Sequence, residues 1–99
     1  MKLVRRTSQF KKDVKRMGKR GKKFEEFKEV VKKLATGEEV EGKYQDHYLV
    51  GQYRGSRECH IEPDWLLIYE LADNELILVR TGTHSDLFRQ NIEHKSARQ

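Results

Sequence analysis

The segment WLLIYELADNELILVRT, residues 65–81, contains the strongest structural signal of the chain. It contains the longest unbroken apolar run of the chain, Trp65–Tyr69, and a second apolar segment at residues 76–81. Asp73 and Asn74, which lie between the two segments, tolerate positive φ and suit a tight turn. We therefore predict two strands joined as a hairpin. Because both faces of the first strand are apolar, we expect it to be central in its sheet.

A further strand is predicted just before this hairpin, at residues 53–62. Cys59 and Ile61 would lie on one face of it, and Glu58 and His60 on the other, because successive side chains of a strand alternate. This alternation places a polar pair opposite an apolar pair. The apolar pair is expected to face the core.

The first third of the chain has a helical period instead. Residues 3–6 can form a short strand, and Thr7 or Ser8 can cap the helix that follows. Apolar residues then recur at helical spacing in two segments. The first segment contains Phe10, Val14 and Met17, and the second contains Phe24, Phe27, Val30 or Val31, and Leu34. Gly37 is placed to end the second helix. We predict an α+β domain in which two N-terminal helices cover one face of a four-stranded sheet, leaving the other face free for a site.

Charge divides the chain unevenly. Residues 1–34 contain 14 Lys/Arg and 4 Asp/Glu, a balance of +10, whereas residues 35–99 contain 7 and 12, a balance of −5. The basic part can attract a polyanion, or it can simply be a solvated helix surface, and charge alone leaves both open. A single cysteine, no apolar leader and no long apolar run favour a cytoplasmic protein that does not enter the membrane.

Histidines and carboxylates of the C-terminal two thirds can carry chemistry. His47, His60 and His84 each have acidic residues nearby in the sequence, and imidazole is suited to proton transfer near neutral pH. Cleavage of RNA by its own 2′-hydroxyl needs a base, an acid and donors for the phosphate charge. The candidate donors are Arg54, Arg57 and Arg80. Each residue also has an ordinary structural alternative, such as a strand ion pair.

No metal ion or cofactor is expected. Cys59 and His60 are adjacent, so in a strand they would point to opposite faces and could not share one tetrahedral ion. No CxxC pair and no glycine-rich phosphate loop is present.

Two blocks of the sequence resemble a known family. The run DHYLVGQYRGSRECHIEPDWLLIY, residues 46–69, and the run RTGTHSDLF, residues 80–88, are similar to the signature of YafQ-type toxins of the RelE superfamily, and residues 10–15 resemble the family's first helix more loosely. The similarity covers residues 3–88. The chain departs from the family pattern at Glu58, where members often carry Asp.

This resemblance implies a RelE-like fold, with two N-terminal helices on a twisted, mostly antiparallel sheet. It also implies the toxin of a type II toxin–antitoxin pair, which cuts mRNA on the translating ribosome and inhibits translation. The positions that match the family's catalytic residues are His47, His60, Asp64 and His84. His84 would be the acid, His60 or His47 the base held by Asp64, and Arg80 the donor to the phosphate.

The resemblance also implies contacts with RNA and with partners. Phe88 would pack against a nucleotide or support His84. The basic helical segment would dock on ribosomal RNA through Lys11, Lys12, Lys15, Arg16, Lys19, Arg20, Lys22 and Lys23. An acidic cognate antitoxin would restrain the toxin in a higher-order hetero-oligomer. Residues 1–88 would form one domain, and residues 89–99 a polar tail.

Two other functions fit the same sequence. A catalytically inert relative could act with its antitoxin as an operon repressor, using the basic helices without the histidines. A ribonuclease independent of the ribosome would use the histidines without the docking surface, although a substrate that is not held in line is cut poorly.

Overall fold

The computed structural model describes residues 1–49 and 51–88. The elements in chain order are β1 (Leu3–Arg6), α1 (Ser8–Lys19), α2 (Glu25–Thr36), β2 (His47–Tyr48), β3 (Arg57–Glu62), β4 (Trp65–Leu71), β5 (Glu75–Gly82) and α3 (His84–Phe88). Short 3₁₀ turns, Gly42–Tyr44 and Gly51–Tyr53, flank β2. The predicted tail, residues 89–99, lies outside the described residues.

The sheet has the strand order β1-β5-β4-β3-β2. β1 runs parallel to β5, and all other neighbours are antiparallel. The predictions of an α+β fold, a mostly antiparallel sheet and a central position for β4 are therefore confirmed. The predicted count of four strands is wrong, because β2 has only two residues and is too short to show an alternating pattern.

Local sequence signals fix the ends of the helices. The Thr7 hydroxyl accepts a hydrogen bond from the Phe10 backbone N–H at 2.9 Å, which caps the start of α1. Gly37 ends α2 in a left-handed conformation with φ of 85°, which glycine adopts at little cost. Both ends agree with the prediction. β3 begins at Arg57 and not at Tyr53, because the 3₁₀ turn ending at Tyr53 precedes it.

The main core lies between the helices and one face of the sheet, and Trp65 is at its centre. The Trp65 ring stacks on Phe27 at a centroid distance of 5.5 Å and meets the edge of Phe24 at 5.3 Å. Its indole N–H donates to the Thr81 hydroxyl at 2.9 Å, so its polar atom is satisfied within the core. Among the described residues, no helix is long and apolar enough to cross a membrane.

A smaller apolar cluster covers the other face of the sheet. Leu66, Ile68 and Leu87 are its buried residues, and Tyr53 and Phe88 pack against it. This cluster is the platform on which the polar residues of that face are arranged.

Candidate functional site

Three histidines line up on the face of the sheet opposite the main core. The His47 and His60 ring centroids are 6.1 Å apart, and those of His60 and His84 are 5.8 Å apart. His47 comes from β2, His60 from β3 and His84 from the start of α3. The structure thus brings together imidazoles that are far apart in the sequence, as the family resemblance implied.

Glu58 lies between two of these imidazoles. Its carboxylate is 3.2 Å from His47 Nε2 and 3.7 Å from His60 Nε2. The strand positions explain the grouping, because Glu58 pairs with His47 in the β2–β3 register and lies two residues from His60 on the same face of β3. The Glu58 side chain is only 7% exposed, so its charge depends on these imidazole partners.

Asp64 holds the third imidazole. Its Oδ1 accepts the His84 backbone N–H at 2.9 Å and contacts His84 Nδ1 at 2.6 Å. These two interactions hold the pKa of Asp64 below its ordinary value. The prediction that Asp64 holds His60 or His47 is wrong, since its carboxylate is engaged by His84 and Glu58 occupies the corresponding place beside the other two.

The two ring nitrogens of each histidine differ in their surroundings. His47 Nδ1 is 3.1 Å from the Tyr48 carbonyl oxygen, so both of its nitrogens face acceptors. His60 Nδ1 has no hydrogen-bond partner within residues 1–49 and 51–88. His60 thus has an open Nδ1, whereas both ring nitrogens of His47 face oxygen acceptors.

Arg80 is fixed by a buried carboxylate from α1. Its Nε and Nη2 donate to the two oxygens of Asp13 at 2.8 and 3.1 Å, and its Nη1 donates to the Tyr53 hydroxyl at 3.4 Å. The Tyr53 ring packs edge-on against Phe88, 5.4 Å between centroids, and Phe88 lies 6.5 Å from His84. Arg80 is therefore connected to the histidine face through Tyr53, and two of its N–H donors are bound to Asp13.

Asp13 is fully buried and accepts further hydrogen bonds. Arg16 Nη2 donates to it at 2.9 Å, Gln9 Nε2 at 3.3 Å and the Thr81 backbone N–H at 3.1 Å. Burial alone would raise the pKa of Asp13, but the hydrogen bonds from Arg80 and Thr81 outweigh it, so the pKa lies below the ordinary value.

A second acidic residue ties α3 to α1. Arg20 donates to both oxygens of Asp86 at 2.6 and 3.0 Å, and Asp86 and Thr83 exchange hydrogen bonds that cap α3. The Arg20 contact is the main reason that the pKa of Asp86 lies well below its ordinary value. A side chain at Gly82 would come within 3.0 Å of Arg16 and Asp86, so this close approach requires glycine.

The predicted RNA contacts divide into two groups. Lys11, Lys12, Lys15, Lys19 and Lys23 are exposed on or just after α1, and Arg54 is exposed in the turn before β3. Other predicted contacts are already engaged within the chain. Arg16 and Arg20 bind Asp13 and Asp86, and Lys22 Nζ lies 2.6 Å from Glu62.

The prediction that Arg57 contacts RNA beside the histidines is not supported by its position. It pairs with Tyr69 in the β3–β4 register, and its Nε donates to Asp46 at 3.0 Å and to the Tyr69 hydroxyl at 3.2 Å. Tyr69 belongs to the main core, so the Arg57 side chain lies on the opposite side of the sheet from His60. The sequence alternation already implied this, since Arg57 and His60 are three residues apart.

A metal ion could be held by His47, Glu58 and His60, without Cys59. Ligand atoms of His47, Glu58 and His60 all lie within 4.8 Å of one another. Cys59 cannot join them, because it is buried in the main core, where burial raises the pKa of its thiol to about 12. Two imidazoles and a carboxylate form a donor set that suits zinc or copper.

Three functional positions were missed or misjudged from sequence. Asp13 was missed because its partner Arg80 is 67 residues away, and Asp86 was missed although Thr83, three residues earlier, completes a helix-capping pattern with it. Glu58 could have been assigned, since it and His60 occupy alternate positions of one predicted strand.

Comparison with known proteins agrees with this geometry. Residues 2–89 match the family described as "Bacterial toxin of type II toxin-antitoxin system, YafQ". The chain is 42% identical over 83 residues to the mRNA interferase toxin YafQ of Escherichia coli K12, covering 83% of this chain and 90% of that protein.

Solved structures of toxins are similar as well. The E. coli DinJ–YafQ complex contains a chain with a TM-score of 0.82 and 39% identity, covering 89% of this chain and 99% of that one. A metal-bound toxin from Helicobacter pylori has a TM-score of 0.83 and 41% identity, covering 89% of this chain and 100% of that one. The chain therefore belongs to the YafQ family of bacterial toxins of type II toxin–antitoxin systems.

Proposed function

We propose that this chain is a ribosome-dependent mRNA endonuclease of the cytoplasm, in which His60 is the base and His84 the acid. The observation that carries the proposal is the pair of imidazoles 5.8 Å apart on one open face, each beside its own carboxylate. This spacing lets both rings reach the same phosphodiester. The similar E. coli protein is named an mRNA interferase, which supports mRNA as the substrate of this chain.

The reaction begins at His60. Its Nδ1 accepts the proton of the RNA 2′-hydroxyl as the 2′-oxygen attacks the adjacent phosphorus. Glu58 faces Nε2 on the other side of the ring, so the positive charge that develops on the imidazole is stabilised. His47 holds the second oxygen of that carboxylate and keeps it in place.

The reaction ends at His84. Asp64 binds Nδ1 and leaves Nε2 to donate a proton to the departing 5′-oxygen. The new 2′-O–P bond forms as the P–O5′ bond breaks, giving a 2′,3′-cyclic phosphate and a 5′-hydroxyl. DNA lacks the attacking group, so it is not a substrate.

Charge on the phosphate is stabilised by His47 and Arg80. When it is protonated, His47 adds positive charge to the face of the sheet on which the phosphate lies. Arg80 acts from the side of Tyr53 and Phe88, and Phe88 supports the His84 ring or a nucleotide. The chemistry requires no metal ion. An ion bound by His47, Glu58 and His60 would occupy the base, so we expect such an ion to inhibit cleavage.

Binding partners follow from the charge of the exposed surface. The exposed lysines of the α1 segment dock on ribosomal RNA, together with Arg54. An antitoxin restrains the toxin, as the DinJ–YafQ complex illustrates for the E. coli relative, in a hetero-oligomer of higher order.

The decisive experiment compares His84→Ala and His60→Ala with the wild type on translated mRNA, using His94→Ala as a matched control with no role in the mechanism. Primer extension should show sharp new 5′ ends with the wild type and the control only. Full activity of either site variant would refute the assignment. Absence of cleavage by the wild type, with retained operator binding in complex with the antitoxin, would favour the inert repressor. Rapid cleavage of naked RNA would remove the ribosome requirement.

A further inference from the structure

A second cavity opens beside the histidine face, at the end of β3. It has a volume of about 430 Å³, within the range of small-ligand pockets, and His60 is one of its walls. The remaining wall comes from the end of β3, from the turn at Gly42–Tyr44 and from Glu26 on α2. A nucleotide whose phosphate lies against His60 would therefore have this cavity within reach of its base.

The charges of the cavity are paired. Glu26 lies 3.4 Å from Lys43 Nζ, and Glu62 lies 2.6 Å from Lys22 Nζ. A phosphate entering the cavity would meet these two carboxylates, and a cation would meet the two lysines. A neutral ligand with its own hydrogen-bond donors and acceptors avoids the electrostatic repulsion that either ion would meet. The electrostatics thus favour a nucleobase over a phosphate or a metal ion.

The walls also offer the surfaces that a base needs. Tyr44 and Ile61 are buried beneath the opening and Pro63 is exposed at its rim, which gives apolar area for contact with a flat ring. Gln45 lies at the opening with φ of 48°, the one positive-φ residue other than glycine in the described ranges. Its exposed amide has no hydrogen-bond partner within those ranges, so it can both donate to and accept from a base edge.

We propose that this cavity, which we call the base pocket (Glu26, Lys43–Gln45 and His60–Pro63), binds the base of a nucleotide next to the cleaved bond and sets the sequence preference of cleavage. Gln45 and Lys43 read the base edge, and Tyr44 and Pro63 contact its ring. This inference rests on the proposed function, since it places the cleaved phosphate at His60.

The test measures selectivity and not activity alone. Ribosomes are programmed with mRNAs that carry each of the four bases at the two nucleotides flanking the cleaved bond. The variants are Gln45→Gly, which tolerates the positive φ, and Lys43→Ala, with Lys32→Ala on the exposed face of α2 as the matched lysine control. The wild type should prefer some bases at one flanking position. Both pocket variants should reduce the ratio of best to worst base by about two- to tenfold, the effect of removing one hydrogen bond.

The opposite results are equally clear. An unchanged ratio in both variants, or an equal loss of rate for all four bases, would overturn the inference while leaving the nuclease in place. A wild type without any base dependence would overturn it too.

A binding measurement separates this inference from the proposed function. Backbone amide shifts of residues 42–45 and 61–62 are followed by NMR during titration with a short RNA made uncleavable by one 2′-deoxy nucleotide, and with the same RNA lacking the flanking base. Shifts that require the base support the pocket even if no message is cut. Equal shifts with both RNAs, or none, would refute it.

Discussion

Replacing Asp13 with Asn should destabilise the protein more than any other single loss of charge among the described carboxylates. The carboxylate is fully buried and accepts hydrogen bonds from Arg80, Arg16, Gln9 and the Thr81 backbone. Asn keeps one oxygen but turns an NH₂ group towards donors. The Arg80 guanidinium is then left without its counter-charge, and Arg16 keeps only its 3.7 Å ion pair with Asp86.

The magnitude follows from the burial of these partners. Removing one member of a fully buried ion pair costs about 3–5 kcal/mol. The Arg80 and Arg16 side chains are 21% and 33% exposed, so water compensates part of the loss. We expect the free energy of unfolding to fall by about 2–4 kcal/mol, which for a domain of this size lowers Tm by roughly 10–25 °C.

Urea titrations followed by circular dichroism measure this difference, with Glu29→Gln on the exposed surface of α2 as a control that should change stability by less than about 0.5 kcal/mol. The pKa of Asp13 is lowered in the folded state, so its contribution is present above the unfolded value near about 4 and is lost as pH falls through the folded value. The difference between wild type and Asp13→Asn should therefore shrink in acid. A difference below about 1 kcal/mol at neutral pH, or one that does not shrink in acid, would refute the role of the ionised carboxylate.

Three further predictions concern the surface and the site. Asp86→Asn should reduce stability by about 1–2 kcal/mol above about pH 4, because it removes the charge that pairs with Arg20 and weakens the cap of α3. It should also slow cleavage, because α3 carries His84; normal cleavage by a destabilised variant would contradict this. Changing Lys11, Lys12 and Lys15 to Gln should weaken ribosome binding. The slope of the logarithm of the binding constant against the logarithm of salt concentration should become smaller in magnitude by about 0.7–0.9 for each RNA phosphate that is no longer neutralised. An unchanged slope in sedimentation assays would exclude these lysines from docking. Micromolar zinc should inhibit cleavage, and a chelator that spares Mg²⁺ should restore it without raising the metal-free rate; zinc binding unaffected by His47→Ala would place the ion elsewhere.

Periodicity was sufficient to predict the larger elements. These patterns each extend over several residues, as in the alternation of β3, the apolar run of β4 and the helical stripes of α1 and α2. Each element can therefore be predicted from its own residues alone. β2 and α3 have two and five residues, and they exist because β3, β5 and α1 support them. β2 has no local pattern, and the only local signal for α3 is the capping pair of Thr83 and Asp86.

The candidate site, like the fold, was predicted only in part from the sequence. Residue type made the three histidines candidates and the family resemblance grouped them into one site, while alternation along β3 put His60 on the open face. The choice of carboxylate for each imidazole depends on register between strands and on the placement of α3, neither of which a single sequence encodes locally. Asp64 was therefore assigned to the wrong histidine, and the Asp13–Arg80 pair, 67 residues apart, was not foreseen.

The pairing of β1 with β5 determines when the toxin can become active during its synthesis. β1 lies at residues 3–6 and its sheet partner β5 at residues 75–82. β1 is therefore synthesised first but cannot pair until β5 has been made. His84 follows immediately after that partner strand. Until residues 75–84 have been synthesised, a nascent chain therefore has neither the β1–β5 pairing nor His84, the acid that we propose. An antitoxin already present at that moment would meet the toxin as it completes folding.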